Sequence, residues 1–357
     1  MKHRKQYLAL VAVLVAAAGA VAAYIYSKRP PPEPIELQVY SWSNYIPEPL
    51  FQKFTEETGI EVSLFTYESN EELREALTAG ALYDVALPSD FMVGRLIEAG
   101  LLMPLEREEM PNFDKIAAPH DSPDFDPSRR YSVPFLWGTI GFTYDAARTA
   151  APLEESWGAF FEPNGELEGK VGALSDEIEV YSAAAYYLDI DRCTTDPDSA
   201  RRILDLLLAQ KPHLASYQSE GTIESMVSGE VILQQQWNGE AHRTRQQLGT
   251  AVYVYPREGV TYWQDNFVIP AKANHPKAAM RFLDWMMDPE NVAMASNFTG
   301  YMNAIEGSEE FLDDDLVDDP AVNPPPEAME RLVPARRCGE EARALRQEVW
   351  NRLLEGE

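Results

Sequence analysis

Residues 36–67 read ELQVYSWSNYIPEPLFQKFTEETGIEVSLFTY, and their periodicity decides the fold. Leu37 and Val39 alternate with polar neighbours as in a half-buried strand, and Ile60, Val62 and Leu64 do so again. Between them Leu50, Phe51 and Phe54 form a helical stripe, entered through Pro47 and Pro49 and stopped by Thr58-Gly59. The pattern then repeats: a helix over Glu71–Ala79 ended by Gly80, a third strand over Tyr83–Leu87, and a helix over Val93–Ala99 ended by Gly100. Strand, helix, strand, helix, strand implies a mainly parallel sheet with helices on its faces. In open sheets of this kind ligands lie beyond the carboxyl ends of the strands. Those ends carry Ser41–Tyr45, Tyr67–Asn70 and Pro88–Phe91. They read as one site, or in part as helix caps made by Ser43, Ser69 and Ser89.

Further along, a second α/β region begins near Gly138–Tyr144, with strands expected at Lys170–Leu174 and Val231–Gln236 and helices at Glu179–Leu188 and Ser199–Ala209. Asp265–Pro270 reads as a strand, Pro276–Met287 as a helix, and Arg331–Leu354 as a helical C-terminal segment. Between them Glu306–Pro326 is an acidic loop without the glycine and terminal glutamate of a calcium loop, so it reads as solvated and no metal is expected.

The 357 residues carry a net charge of −28, and with five basic residues and no acid in 1–29 the remainder carries −33. Nucleic acid is thereby excluded as a partner. Lys2, Arg4 and Lys5 precede a run of 19 apolar and small residues, Leu8–Tyr26, and a proline cluster ends at Pro34. Residues 1–34 are therefore an export segment with a linker, either a cleaved signal peptide or an uncleaved membrane anchor, which places the body outside the cytoplasm. Cys193 and Cys338 are either bridged or two separate thiols. No phosphate-binding glycine loop, nucleophile elbow or paired histidine motif occurs, so nucleotide and hydrolase chemistry lack their parts and no cofactor is expected. Asp176 and Glu179, three apart, admit three readings: a glycosidase pair, a helix cap with a first-turn acid, or a cation site.

The segments "YSWSNYIPEPLFQKFTEETGIEV", "YESNEEL", "YDVALPSDFMV", "YSVPFLWGTIGFTYD", Asp176–Tyr181, "QQQWNGEA", "YWQDNFVIPAKANHP" and "TGYMNA" together resemble the periplasmic polyamine-binding proteins of ABC transporters. The resemblance runs from about residue 36 to 305 and fades in the C-terminal segment. It implies an α/β, two-lobed periplasmic-binding-protein-like fold, each lobe a mixed, mainly parallel sheet flanked by helices, with the ligand cleft between the lobes. Lobe 1 is expected at 36–139 and 266–308, and lobe 2 at 140–265 and 309–357. Carried over, the pocket comprises Trp42, Ser43, Asn44, Tyr45, Ser89, Phe91, Asp176, Glu179, Trp237, Glu240, Trp263, Asp265 and Tyr301. Carboxylates suit ammonium groups and aromatic faces suit the methylenes and cations between them; Glu179 and Asp265 are expected at opposite ends of the ligand. Spermidine-type members carry an acid where this chain has Asn44 and an aromatic hydroxyl where it has Phe91. Putrescine-type members carry an acid where "WNGE" supplies Glu240, which tilts the expectation to a diamine. The resemblance implies a non-catalytic monomer serving an inner-membrane ABC permease; a tethered polyamine sensor and a glycosidase are the alternatives.

Overall fold

The computed structural model describes residues 35–118 and 120–356, so the export segment lies outside the described residues. Strand β1 (Glu36–Trp42), helix α1 (Glu48–Thr58), β2 (Glu61–Tyr67), α2 (Asn70–Ala79), β3 (Val85–Ala86) and α3 (Asp90–Glu98) follow one another in the expected order. β1 pairs in parallel with β2 on one side and β3 on the other. Helix α1 buries Leu50, Phe51 and Phe54, each contributing roughly 1.5–3 kcal/mol of apolar burial, and ends where Gly59 turns left-handed at φ 72°. Ser69 caps α2 by accepting from Glu72 N at 3.2 Å, whereas Ser89, at the cap position of α3, makes no cap bond.

Strand β4 (Ser132–Asp145) and helix α4 (Gly158–Phe161) lead to β5 (Val171–Ala173), α5 (Glu177–Tyr187), α6 (Pro197–Gln210), β6 (Leu214–Tyr217), α7 (Thr222–Ser228), β7 (Leu233–Trp237) and α8 (Asn238–Gln247). Then come β8 (Ala251–Val254), β9 (Val260–Val268), α9 (Pro276–Met286), α10 (Pro289–Thr299), β10 (Met302–Asn303), α11 (Asp314–Val317), α12 (Pro326–Met329), β11 (Leu332–Pro334) and α13 (Glu340–Glu355). The strand order is β2-β1-β3-β9-β4-β7-β5-β6, with β8 and β10 also on β4 and β11 on β9. β4 and β9 are antiparallel and join the two halves of the sheet, with a register irregularity between Pro134 and Trp137.

Two main cores flank this junction. One gathers β1, α1, α9 and the first half of β4 through Val133, Phe135 and Leu136. The other gathers α4, α5, α6, α13 and the second half of β4 through Ile140, Phe142 and Tyr144. Trp237 and Trp263 pack against both. A smaller third core, under α2 and α3, includes Tyr40, Tyr67 and Leu96.

Several sequence expectations need correction. The third strand is two residues long, because Leu87 and Pro88 already turn toward α3. The strand expected from Asp265 starts at Val260, so Asp265 lies inside it. Arg331–Leu354 is not wholly helical: Leu332–Pro334 pairs in parallel with β9 before α13 begins. The acidic loop is not simply solvated. Asp319 is buried and accepts from His242 Nδ1 at 2.9 Å and Arg245 Nη1 at 2.8 Å, while Leu312, Leu316 and Val322 pack with Ala293 of α10. Cys193 and Cys338 form a disulfide across 145 residues, a span for which loop entropy alone gives about 4–5 kcal/mol.

Candidate functional site

Alternation along β9 sorts its side chains onto two faces. Gln264 and Asn266 turn to the buried Arg129, whose Nη2 donates to Gln264 Oε1 at 2.8 Å and whose Nη1 donates to Asn266 Oδ1 at 2.7 Å. Trp263 and Asp265 therefore share the opposite face. There Asp265 accepts from Ser89 Oγ at 2.7 Å, which explains why Ser89 leaves α3 uncapped. Asn70 holds Ser89 from the other side, donating to its Oγ and accepting from its N, both at 3.1 Å. Asp265 is 5% exposed; burial pushes its pKa up to about 6, with Ser89 and Tyr45 pulling it back.

A second acid follows directly on Ser89. Asp90 is 4% exposed and spends its carboxylate on Phe91 N at 2.6 Å and Gln264 N at 3.3 Å. Burial pushes it up to about 7; the Phe91 bond opposes this, and the Asp265 charge adds to it. Across the junction Glu179, in the first turn of α5, is pushed up to about 8, first by burial and then by the neighbouring Asp176 charge. Asp176 itself is the helix cap among its three readings, accepting from Ile178 N at 2.8 Å and Glu179 N at 3.1 Å. Glu240, near the start of α8, accepts from Thr222 Oγ1 at 2.7 Å, and burial raises its pKa.

The aromatic residues assemble around these acids. Trp42 stacks tilted on Tyr67 with ring centres 4.5 Å apart. Tyr45 meets Tyr301 at 6.2 Å, and Tyr301 meets Trp263 edge-on at 4.9 Å. Burial raises the Tyr301 hydroxyl, and the Glu240 and Asp265 charges add to the shift. Two glycines make room for the rings. A Cβ on Gly138 would lie 2.6 Å from the Trp263 ring, and one on Gly239 would lie 2.5 Å from the Tyr301 ring. These contacts account for the first glycine of "WGTIG" and for that of "WNGE".

Polar atoms are left without partners in this same place. Trp42 Nε1, Tyr45 Oη, Glu179 Oε2 and Trp263 Nε1 are all buried and make no hydrogen bond of full geometry. Buried polar groups are normally satisfied; the indole N–H groups of Trp42 and Trp263 call for an acceptor, whereas Glu179 Oε2, an acceptor among neighbouring acids, calls for a donor that carries positive charge. Not every expected residue joins them. Ser43 and Asn44 are exposed; Ser43 reaches only Glu68, at 3.4 Å. Asn44 sits in the left-handed region at φ 52°, a conformation that asparagine tolerates better than most residues, so its identity answers a backbone demand. Phe91 packs on the third core and lines a separate arginine-rich cavity. Trp237 is half-buried at the end of β7, where it touches both main cores.

Tyr67 and Asp90 fall in the strand ends read as one site but not in the carried-over pocket, and Arg192 falls in neither. Asp90 was visible as an acid next to Ser89, but a carboxylate in a first helical turn is ordinary. Arg192 has no local signal, because the disulfide and α13 bring its neighbours from far along the chain. A surface depression of about 370 Å³ beside Lys53, Glu57 and Trp285 is a different feature. It is open, and its Lys53 and Trp285 are already engaged by Glu57, through Lys53 Nζ at 3.0 Å and Trp285 Nε1 at 2.6 Å.

The profile of the bacterial extracellular solute-binding proteins matches residues 49–324. The spermidine/putrescine-binding periplasmic protein of Escherichia coli is 28% identical over 296 residues, covering 82% of this chain and 84% of that one. The putrescine/agmatine-binding protein of Pseudomonas aeruginosa is 29% identical over 338 residues, covering 90% and 92%. Among solved structures, the spermidine/putrescine ABC transporter substrate-binding protein of Streptococcus pneumoniae superposes with a TM-score of 0.79 at 25% identity, covering 90% of this chain and 99% of that one. With the profile spanning more than half of its length, this α/β chain belongs to the family of bacterial extracellular solute-binding proteins.

Proposed function

We propose that this protein captures polyamines outside the cytoplasm, with a linear diamine such as putrescine as its ligand, and delivers them to the permease of an ABC-type importer. The observation that carries this reading is the convergence of the carboxyls Asp265, Asp90 and Glu179, none of them in an ion pair among the described residues, with Glu179 Oε2 left without a donor. An ammonium group supplies three donors and a full charge, which such a site lacks and a sugar or a dicarboxylate does not provide. One ammonium lies against Asp265, with Ser89 and Tyr45 around it, and the other against Glu179. Trp42, Trp263 and Tyr301 flank the methylenes between them, and Trp237 closes the side toward Glu240. The printed names of the relatives, which include spermidine, putrescine and agmatine, support the ligand class.

In this reading the protein is a monomer without catalytic activity. Its two lobes, 36–139 with 266–308 and 140–265 with 309–357, close on the ligand about β4 and β9. The export segment delivers it to the periplasm, tethered to the inner membrane if uncleaved. Among the described residues no helix is long and apolar enough to cross a membrane, so any tether is residues 8–26. Tryptophan fluorescence tests the assignment, since Trp42, Trp237 and Trp263 sit at the site. Putrescine should change the emission saturably, and a spectrum indifferent to every polyamine would refute it.

A further inference from the structure

Six arginines, Arg95, Arg192, Arg336, Arg337, Arg343 and Arg346, ring a cavity of about 30 Å³, on a chain whose net charge is −28. Four of them are paired: Arg95 with Glu71 at 3.0 Å, Arg346 with Glu177 at 2.7 Å, Arg336 with Asp191, and Arg337 with Glu98. Arg192 and Arg343 have no ion pair among the described residues. Arg192 is 7% exposed, yet its Nε and Nη1 find no acceptor. An unsatisfied buried guanidinium is costly unless an anion completes it. We propose that this cavity is a binding site for a small inorganic oxyanion, phosphate or sulfate, held by the free forks of Arg192 and Arg343.

The chemistry fits, because planar guanidinium groups match tetrahedral oxyanions through paired N–H donors. A cavity of this volume takes about two water molecules, the scale of one such ion seated partly in the opening. The charges that face Arg343 come from α3, the segment after β11, and α13 itself. Its guanidinium is held below its ordinary range by burial and by Arg95, Arg337 and Arg346, with Glu340 alone opposing them. The wall is assembled from distant parts of the chain. Glu71, Phe91 and Arg95 come from α2 and α3, Ile178 from α5, and the Cys193–Cys338 bridge holds the C-terminal arginines beside Arg192.

Resting on the polyamine reading, the site has a second consequence. Phe91 and Ile178 of the cavity wall are the chain neighbours of Asp90 and Glu179, so the cavity adjoins both carboxyls, and the Arg192 charge acts on them, where it opposes an incoming ammonium. An oxyanion that neutralises Arg192 from the cavity side strengthens polyamine binding, and by linkage the polyamine strengthens oxyanion binding by the same factor.

Calorimetric titration of sodium phosphate into the full-length chain, in mild detergent and triethanolamine chloride buffer, tests this. The expected result is one phosphate per chain. Arg343→Gln, which removes no side-chain bond of the fold, should weaken it by about tenfold or more. Putrescine should bind more tightly with phosphate present. No saturable heat up to about 10 mM phosphate, or an Arg343→Gln chain that binds phosphate like the parent, overturns the site. Putrescine binding indifferent to phosphate overturns the coupling. Phosphate binding that depends on Arg343 without any putrescine binding upholds the site and refutes only the polyamine reading.

Discussion

At the scale of single residues, a carboxylate removed from water without an ion pair is held at a cost, and this protein holds three near one another: Asp265, Asp90 and Glu179. Each responds by favouring its protonated form, which an arriving ammonium reverses. Truncating one partner of a buried charge pair typically costs about 2–5 kcal/mol. Glu179→Gln and Asp265→Asn should each weaken putrescine binding by about 30-fold or more, and the double variant should show none in a titration; a double variant that still binds normally would show that the amines sit elsewhere. Most of the aromatic wall was legible, because Trp42, Tyr45, Trp263 and Tyr301 lie in segments whose resemblance is specific. Asn44 was not: an exposed residue at φ 52° looks in sequence like a pocket position and in structure like a turn.

Secondary-structure elements set the directions of those side chains. Two-residue alternation on β9 makes Trp263 and Asp265 neighbours, and Arg129 fixes that orientation by engaging the opposite face. Glycines admit the rings: Gly239→Ala places a methyl 2.5 Å from Tyr301, an overpacking that costs typically 1–3 kcal/mol. Urea unfolding should show destabilisation in that range, and putrescine binding should weaken together with it. Stability unchanged by the alanine would mean that Tyr301 is free to move. Helix and strand order along the first half was readable from hydrophobic periods and glycine stops. β3 was placed but read too long, and β11 was not seen, since strands that short carry no period and are set by their pairing with β9 and its neighbours.

For the whole molecule, the raised carboxyl pKa values couple stability to pH. Asp265, Asp90 and Glu179 bind protons in the folded chain at pH values where the unfolded chain, with ordinary carboxyls near 4, has released them. Their contribution is therefore fully present below about pH 4 and is lost as pH rises through about 6, 7 and 8. Calorimetric melting of the ligand-free chain should show this part of Tm declining from pH 5 to 8, while saturating putrescine should offset the decline; parallel curves with and without ligand would contradict the coupling. The two-lobed architecture was implied by the family resemblance, but sequence left the disulfide as one of two readings and gave no sign of the ties of Asp319 to α8, because each joins residues far apart in sequence. The most direct test of the central claim is a titration of putrescine into the full-length chain at pH 7, repeated in buffers of different ionisation enthalpy. The account predicts saturable one-to-one binding whose heat depends on the buffer, because Glu179 and Asp90 give up protons to admit the ammonium groups. The absence of saturable heat with putrescine and with every other diamine, triamine and tetramine would contradict it.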